Sequence, residues 1–306
     1  MGALNEINPR RMRYFHEVLA SKSIRVAADK LNIAPSVITR QVKLLEEELA
    51  ITLFERRTRG VVPTEAAGIL LEYYQGCCSQ QELLIARLQA LRGLQSGNVA
   101  IFVTEVFVDA LMDEVLNNFC RQYPRLSISV TQASTSEVVT AVVEDVAHIG
   151  LVFNPPLDPA IRCRVGVTRP VCLLVSRNHP LASERVPITL ADAMRYPIGL
   201  MPESFSLRRI IEMLEISEKL RITPVLTTNS VSALKRFVQG GHGVTFMPAF
   251  ATSCEIESGE LVALDIANPL LASTEVRAIV RLGRPLSAAC NKLLTQIVAN
   301  LSIFAR

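Results

Sequence analysis

The stretch from Ser23 to Glu46 constrains the fold more than any other, because it contains two short amphipathic segments separated by a tight turn. Pro35 suits the first turn of the second helix, where a missing N–H leaves no hydrogen bond unmade. Apolar residues in this helix recur at spacings of four, three and four on one side: Ile38, Val42, Leu45 and Leu49. The other side carries mostly small polar or basic side chains, as the reading of base edges in a major groove requires: Ser36, Val37, Thr39, Arg40 and Lys43. Taken alone, the stretch also fits an ordinary helical hairpin.

Basic residues follow the second helix in a short hairpin-like segment, residues 57–64 (RTRGVVPT), which turns at Gly60. Together with a first helix over Pro9 to Ala20, this segment predicts a winged helix-turn-helix. We expect Arg56 and Arg59 to contact phosphates or the minor groove. A solvated basic loop is the alternative for these arginines.

The net charge of +3 is unevenly distributed along the 306 residues. Residues 1–64 contain eleven Lys and Arg against seven Asp and Glu, whereas the remainder contains 21 against 22. All of the basic excess therefore lies in the helical module, which favours a phosphate-backbone partner such as duplex DNA.

A narrow apolar seam runs along the helix predicted from Thr64 to about Arg92. Its positions alternate at spacings of three and four, the a/d pattern of a coiled coil, whereas a helix packed on its own body usually has a wider apolar face. At 1.5 Å per residue the helix would be roughly 43 Å long. We expect it to pair two chains, with the polar Gln81 setting the register, through Leu70, Tyr74, Gln81, Leu84, Leu88 and Leu91.

Strands and helices alternate after this helix, which predicts an α/β architecture of two similar lobes with the chain crossing between them twice. We expect a winged helix-turn-helix at residues 1–66, a linker and dimerisation helix at 67–93, and a two-lobed effector-binding domain at 94–306. Lobe I would comprise about 94–165 and 268–306, and lobe II about 166–267.

Hydroxyl side chains lie where several predicted helices begin in the α/β region. Ligands of α/β sheets bind beyond the carboxyl ends of strands, where helix N-termini point inward. Ordinary N-capping explains each residue by itself, but together they predict a site for a small anion or polar metabolite between the lobes. The candidate effector-binding residues are Thr104, Ser134, Thr135, Ser204, Phe205, Ser206 and Thr228.

Sequence motifs of catalysis are missing. The chain has no G-x-S-x-G, H-E-x-x-H, Walker lysine or helix-opening G-x-G-x-x-G, and the glycines at 240–243 follow a helix and precede a strand, which predicts a tight turn. Acidic residues are expected on solvated faces. The sequence therefore predicts a protein that is not an enzyme and has neither cofactor nor metal.

Seven cysteines form neither a C-x-x-C pair nor a metal-ligand spacing. Their number and apolar settings predict reduced, mostly buried thiols in a cytosol, with a redox-sensing thiol as the alternative. No run of 18 apolar residues and no leader pattern occurs, so we expect neither a membrane span nor secretion.

The run AADKLNIAPSVITRQVKLLEEELAITLFERRTRGVVPTEAA resembles the N-terminal module of LysR-type transcriptional regulators. The segments NHPLA at 178–182, GGHGVTFMP at 240–248 and GRPLS at 283–287 resemble that family's effector domain, which has the fold of a periplasmic binding protein. The resemblance covers essentially the whole chain. It implies a cytoplasmic bacterial regulator that binds promoter DNA as a homodimer or homotetramer, responds to a small metabolite and contacts RNA polymerase.

Carried over by position, the resemblance assigns DNA contacts to the helix residues named above and to Arg56 and Arg59. It also places Thr104, Ser134, Ser204 and Thr228 near the effector cleft. Two departures stand out: Ala34-Pro35 replaces the family's frequent Ser-Gln and removes a helix cap, and Val62-Pro63 leaves fewer phosphate contacts in the wing.

Two other classes stay open at this point. One is an α/β metabolite-binding or catalytic protein whose helical module serves protein–protein contact. The other is an architectural protein that binds any duplex with little sequence preference. Binding that falls steeply with salt separates the first class from a DNA-binding regulator, and a specificity ratio well below about 1,000 would favour the second.

Overall fold

The computed structural model describes residues 7–57, 60–91, 97–183 and 188–305. They divide into two compact units, Met1–Glu82 and Leu83–Arg306. Arg59 and the predicted end of the linker near residue 93 lie outside the described residues, as do the side chains of Arg56 and Leu91.

The first unit begins as the predicted winged helix-turn-helix, which we call the head. The close crossing of its helices depends on Ala27 and Ala28, which are fully buried and carry no side chain beyond Cβ. The head comprises α1 (Pro9–Ser21), α2 (Ile24–Leu31), α3 (Pro35–Leu49) and the antiparallel hairpin of β1 (Phe54–Arg57) and β2 (Gly60–Pro63).

The core of the head is small and follows the predicted helical spacing. Ile38, Val42 and Leu45 of α3 are buried against residues of α1, including Phe15, and against Leu53 before the wing. Burial of this one stripe leaves the opposite side of α3 facing solvent.

Helix α4 (Glu65–Leu91) follows the wing and is capped by Thr64, whose Oγ1 accepts a hydrogen bond from the N–H of Ala67 at 3.4 Å. Its first turns complete the head, because Ala67 and Leu70 are buried in the core of the head and Tyr74 packs against it. The prediction that Leu70 faces a second chain is therefore wrong. Packing on the chain's own body and packing on a partner give the same three-and-four spacing, so the sequence did not separate them.

Further along α4, apolar side chains remain exposed on one face of the helix. Leu84 is 57% exposed and Leu88 52% exposed, and Gln81 is exposed beside them. We call this face the α4 stripe and define it by Ile69, Tyr73, Cys77, Leu84 and Leu88, all of which are exposed.

The second unit contains two five-stranded sheets of the same design. The orders are β4-β3-β5-β12-β6 and β9-β8-β10-β7-β11, and in each sheet the fourth strand, β12 or β7, runs antiparallel to the other four. The strands of lobe I are β3 (Gly97–Val103), β4 (Leu126–Gln132), β5 (Ile149–Phe153), β6 (Ile161–Thr168) and β12 (Glu275–Arg281). Those of lobe II are β7 (Val171–Ser176), β8 (Ile198–Leu200), β9 (Leu226–Thr227), β10 (Val244–Pro248) and β11 (Leu261–Leu264).

Helices cover the faces of both sheets, and buried apolar residues of the two lobes join into one core. The helices are α5 (Val108–Ala110), which continues through a π-helical segment (Leu111–Leu116) into α6 (Asn117–Gln122), then α7 (Thr135–Val143), α8 (Leu190–Ala193), α9 (Ser206–Glu218), α10 (Val231–Gln239), α11 (Ser253–Glu257), α12 (Pro269–Ala272) and α13 (Ala288–Asn300).

The chain crosses between the lobes twice, as predicted. It passes from β6 to β7 and returns between β11 and β12, and the two crossings are hydrogen-bonded to each other. The N–H of Arg169 donates to the carbonyl of Thr274 at 2.8 Å, and the Thr274 hydroxyl donates to the carbonyl of Arg169 at 2.6 Å. The Arg169 side chain also donates to the carbonyls of Ile303 and Ala305 at 2.9 and 2.6 Å. The crossings and the last turn of the chain are thereby linked.

All seven cysteines are free thiols, and four of them are exposed, so the prediction of mostly buried thiols is wrong. The exposed cysteines occupy outward positions on helices or on the edge strand β6, where apolar neighbours in sequence do not imply burial: Cys77, Cys120, Cys163 and Cys254. Within the described ranges, no helix is long and apolar enough to cross a membrane.

Candidate functional site

The outer face of α3 brings most of the predicted DNA-contacting residues together. Ser36, Val37, Arg40 and Lys43 are exposed. Thr39 is half-buried, and its hydroxyl donates to the carbonyl of Pro35 at 3.0 Å, so it is engaged within the helix. The face is therefore polar and basic at positions one turn apart, and it stands on a packed apolar stripe.

Helix α3 begins without a side-chain cap. Ala34 occupies the N-cap position and makes no capping hydrogen bond, and Pro35 starts the helix. The loss of a cap expected from the Ala34-Pro35 substitution is therefore confirmed. Pro35 has no N–H and the N–H of Val37 donates to the carbonyl of Ala34 at 3.0 Å, so the helix begins without help from a side chain.

Polar contacts fix α3 against the rest of the head. Arg11 of α1 forms an ion pair with Glu48 and donates to Oε1 of Gln41 at 3.3 Å. Oε1 of Glu46 accepts from the N–H groups of Leu53 and Phe54 at 2.7 and 3.2 Å, which ties the wing to α3.

The start of β2, at the turn end of the wing, is also held against the end of α1. Gly60 has a φ of +112°, and a Cβ at this position would lie 2.6 Å from the carbonyl oxygen of Lys22. The next residue, Val61, donates its N–H to that same carbonyl at 3.3 Å. Glycine is therefore required at this turn of the wing both for its φ and for the close approach of the backbone.

A cleft lies between the two lobes of the second unit, and its empty space of about 370 Å³ includes open solvent. Four of the seven predicted effector residues line it, namely Thr104, Thr135, Phe205 and Ser206. Sequence reasoning missed the other lining residues, most of which are apolar and belong to strand ends or helix starts: Glu105, Val106, Phe153, Met201, Leu207, Val231 and Pro248.

Hydroxyl groups from the two lobes meet in the lining of this cleft. Oγ1 of Thr135, at the start of α7, lies 2.9 Å from Oγ of Ser206, at the start of α9. Both hydroxyls contact the carbonyl oxygen of Phe153 at the end of β5, at 3.1 and 3.0 Å. These polar groups therefore satisfy one another and join the lobes.

Another part of the lining contains polar atoms that lack hydrogen-bond partners among the described residues. Thr104 is only 8% exposed, yet its Oγ1 makes no hydrogen bond. The neighbouring Glu105 accepts from Ser230 Oγ on Oε1 at 3.4 Å, but its Oε2 is buried without a partner. The expectation that acidic residues lie on solvated faces is wrong for Glu105, because the turn after β3 directs it into the cleft.

The other three predicted effector residues lie away from the cleft lining. Ser134 forms the predicted capping box with Glu137, and its hydrogen bonds lower the pKa of that carboxyl group. Ser204 is exposed, and Thr228 accepts from the N–H of Ser230 at 3.2 Å. Ser134 and Thr228 therefore serve local helix starts, which is the capping alternative that the sequence left open.

Comparison with known proteins agrees with this geometry. The model of the bacterial regulatory helix-turn-helix protein, lysR family, matches residues 9–68, and the model of the LysR substrate binding domain matches residues 92–302, which is more than half of the chain. The chain belongs to the LysR family of transcriptional regulators. It is a DNA-binding regulator with an N-terminal helix-turn-helix and a C-terminal effector-binding domain.

Relatives and solved structures of this family match the regulator over most of its length. The transcriptional activator CmpR of Synechocystis sp. is 26% identical over 258 residues, which cover 82% of each chain. A full-length OxyR variant from Pseudomonas aeruginosa has the same fold, with a TM-score of 0.68, 16% identity and coverage of 98% of this chain and 97% of OxyR. CbnR complexed with its target DNA gives a TM-score of 0.52 at 19% identity and covers 95% of this chain and 99% of CbnR.

Among the described residues, no three His, Cys, Asp or Glu side chains come together in a way that could hold a metal ion.

Proposed function

We propose that the regulator binds promoter DNA sequence-specifically through the outer face of α3, and that it does so in the cytoplasm of a bacterium without catalysing a reaction. The observation that carries this proposal is the exposure of Ser36, Arg40 and Lys43 on one face of a helix fixed by its buried stripe. A helix of this kind fits the major groove, where Arg can donate two hydrogen bonds to guanine. Arg56 and Arg59 of the wing would contact the phosphate backbone beside it.

A duplex enriched from a random-sequence pool tests this proposal, with a scrambled duplex of equal length as reference. Arg40→Ala is expected to weaken binding to the enriched duplex by about 1–3 kcal/mol and to reduce the preference over the scrambled one. Lys43→Ala is the matched control on the same face: loss of a phosphate contact weakens both duplexes about equally and reduces the salt slope by about one. Fluorescence anisotropy at several salt concentrations measures the affinities of the unaltered chain and of both variants for the two duplexes.

Unchanged discrimination in Arg40→Ala would remove Arg40 from the reading surface. A preference for the enriched duplex well below about 1,000-fold would favour an architectural protein instead.

The regulator is further proposed to act as a homodimer through the α4 stripe, with a homotetramer as the larger assembly. Leu84 and Leu88 are exposed leucines four residues apart, the spacing at which apolar side chains of paired helices interlock. Pairing would place two heads on one duplex, where half-sites one helical turn apart lie roughly 34 Å from each other.

Sedimentation velocity of the double variant Leu84→Glu, Leu88→Glu tests the pairing. The variant is expected to sediment as a smaller species than the unaltered chain, because four like charges would face each other in the pair. Ile216→Glu on α9 is the control, since Ile216 is 77% exposed and lies on another element. A double variant that keeps the original sedimentation coefficient would contradict pairing through this face.

Control by a small metabolite bound in the cleft completes the proposal. Thr104 supports it, because its buried hydroxyl has no hydrogen-bond partner among the described residues, which is costly unless a ligand satisfies it. A ligand there would shift the balance between open and closed arrangements of the lobes. This shift would change the spacing of the paired heads on the promoter and thereby their contact with RNA polymerase. Thermal-shift screening of metabolites, compared between the unaltered chain and Thr104→Val, tests this step. A metabolite that alters operator binding equally in both would place the effector elsewhere.

A further inference from the structure

The charges in the lining of the cleft indicate what kind of ligand it can bind. Within the described part of the chain, no Lys, Arg or His lines this cleft, and Glu105 is its one ionisable lining residue. Among the described residues, Glu105 Oε2 is buried without a hydrogen-bond partner, and Oε1 accepts from the Ser230 hydroxyl at 3.4 Å. A carboxylate in this position disfavours a second anion and favours a hydrogen-bond donor.

The buried cation of α10, the helix that starts beside Glu105, is already committed to other acids. Lys235 is 8% exposed, and its Nζ lies 3.1 Å from Glu255 and 3.5 Å from Asp109. Glu255 Oε2 is itself buried without a hydrogen-bond partner among the described residues. Two carboxylates therefore share this ammonium group and neutralise the positive charge that could otherwise attract an acidic ligand.

Helix N-termini would ordinarily attract an anion to such a cleft, but two of the three here already have an acid of the chain beside them. The N-terminus of α7 is capped by Ser134 together with the carboxylate of Glu137. The N-terminus of α10 has Ser230 as its cap, and Ser230 contacts Glu105. At α9, the Ser206 hydroxyl is occupied by Phe153 and Thr135. Acids of the chain therefore offset the dipoles of α7 and α10, whereas α9 has neither a side-chain cap nor an acid in its first turn.

We propose that the effector of this regulator is a small amine: an apolar skeleton that carries an ammonium group. This inference rests on the proposed role of the cleft as the effector site. The ammonium group donates to Oε2 of Glu105, and the skeleton packs against Phe153, Met201 and Pro248 on the apolar walls. Thr104 Oγ1 forms a further hydrogen bond with the ligand, which a purely hydrocarbon ligand could not form.

Matched probes of one skeleton test the charge preference directly: benzylamine, benzyl alcohol and benzoate, titrated calorimetrically into the full chain. We expect benzylamine to bind at least tenfold more tightly than benzoate, with benzyl alcohol between them. Glu105→Gln is expected to weaken benzylamine binding at least tenfold and to bring the three affinities closer together. Glu203→Gln is the matched control, because Glu203 is exposed near the start of α9 and does not line the cleft.

Thermal unfolding of Glu105→Gln without ligand keeps the test independent of folding defects. Since the variant removes a carboxylate oxygen that has no partner, its Tm is expected to equal or exceed that of the unaltered chain. Benzoate binding as tightly as benzylamine would overturn the amine inference while leaving the cleft as the effector site. Benzylamine affinity that is insensitive to Glu105→Gln, or absent in the unaltered chain, would also overturn it. The DNA-binding proposal is decided separately by the duplex titrations.

Discussion

The head and the cleft use polar side chains in opposite ways. On α3, Ser36, Arg40 and Lys43 project from a packed stripe into solvent, so the fold of the head does not depend on them. In the cleft, Thr135 and Ser206 contact each other and the carbonyl of Phe153, so hydroxyls of the cleft lining also join the lobes. Binding and stability are therefore separable in the head and coupled in the cleft.

The largest expected effect comes from the core beneath each region. Leu45→Ala removes a fully buried side chain from the small core of the head and is expected to cost about 2–5 kcal/mol. The head is then expected to lose duplex binding while the effector domain stays folded. Hydrogen exchange measured separately on α3 and α9 reads the two regions. Leu214→Ala, an equally buried position of α9, should give the converse pattern, and matching losses in both regions would show that they unfold as one.

A smaller loss is expected at the wing. Gly60→Ala places a methyl group against the Lys22 carbonyl at a φ that L-residues rarely adopt, which should cost about 1–3 kcal/mol. Because the strain falls on the wing and not on α3, duplex affinity should fall with little change in sequence preference. Gly241→Ala is a control at a positive φ with open space around it, and urea unfolding compares the two. Equal costs would mean that the close approach to Lys22 adds nothing to the backbone strain.

In the cleft, removal of one hydroxyl tests the coupling of binding and stability. Thr135→Val is expected to lower the free energy of unfolding by about 1 kcal/mol, because it removes the hydroxyl that contacts both Phe153 and Ser206. Arg40→Ala in the head should leave that free energy unchanged. Urea denaturation followed by circular dichroism measures both. A Thr135→Val protein as stable as the unaltered chain would break the contrast between the two regions.

The smallest effect is a difference in alkaline sensitivity. Burial raises the pKa of the Cys172 thiol in the effector domain to about 11. Burial also raises the pKa of the Tyr74 phenol, which packs against the core of the head, to about 12. The unfolded chain ionises first in both cases, so the free energy of unfolding falls as the pH rises, from about pH 9 to 11 for the thiol and from about pH 10 to 12 for the phenol. With allowance for solvent screening, we expect about 1 kcal/mol for the thiol.

Cys172→Ala should remove the first of these losses and Tyr74→Phe the second. Thermal unfolding across this pH range measures both. A Cys172→Ala protein with an unchanged alkaline profile would exclude this thiol as the cause.

Local sequence patterns predicted the helices and strands well, but they did not predict which residues, distant in sequence, line the cleft together. The capping box at Ser134 and Glu137 and the buried stripe of α3 were predicted because each depends on residues within one or two turns. The apolar lining of the cleft was missed because Phe153 and Pro248 end strands that look like any buried strand. Which end of a strand faces another lobe depends on sheet order, and the sequence pattern does not encode it.

Charge was the harder part of the site to predict. Glu105 has no feature in its own segment that separates it from acids on solvated faces. Its place in the cleft depends on α10 of the other lobe, because Ser230 at the start of that helix contacts Glu105 although the two residues are 125 positions apart in sequence. Similarly, one apolar periodicity runs along α4, but its two halves differ in burial. Ala67 and Leu70 pack in the core of the head, whereas Leu84 and Leu88 remain exposed.

The linkage of Arg169 with Thr274 has a mechanical consequence for signalling. Two independent crossings would allow the lobes to twist, shear and rock, and ligand binding would be spread over all of these motions. Crossings fastened to each other and to the chain's last turn resist twist and shear, so we expect rotation of one lobe against the other about the crossings to be the easiest motion. A ligand in the cleft would then act mainly by setting the angle between the lobes.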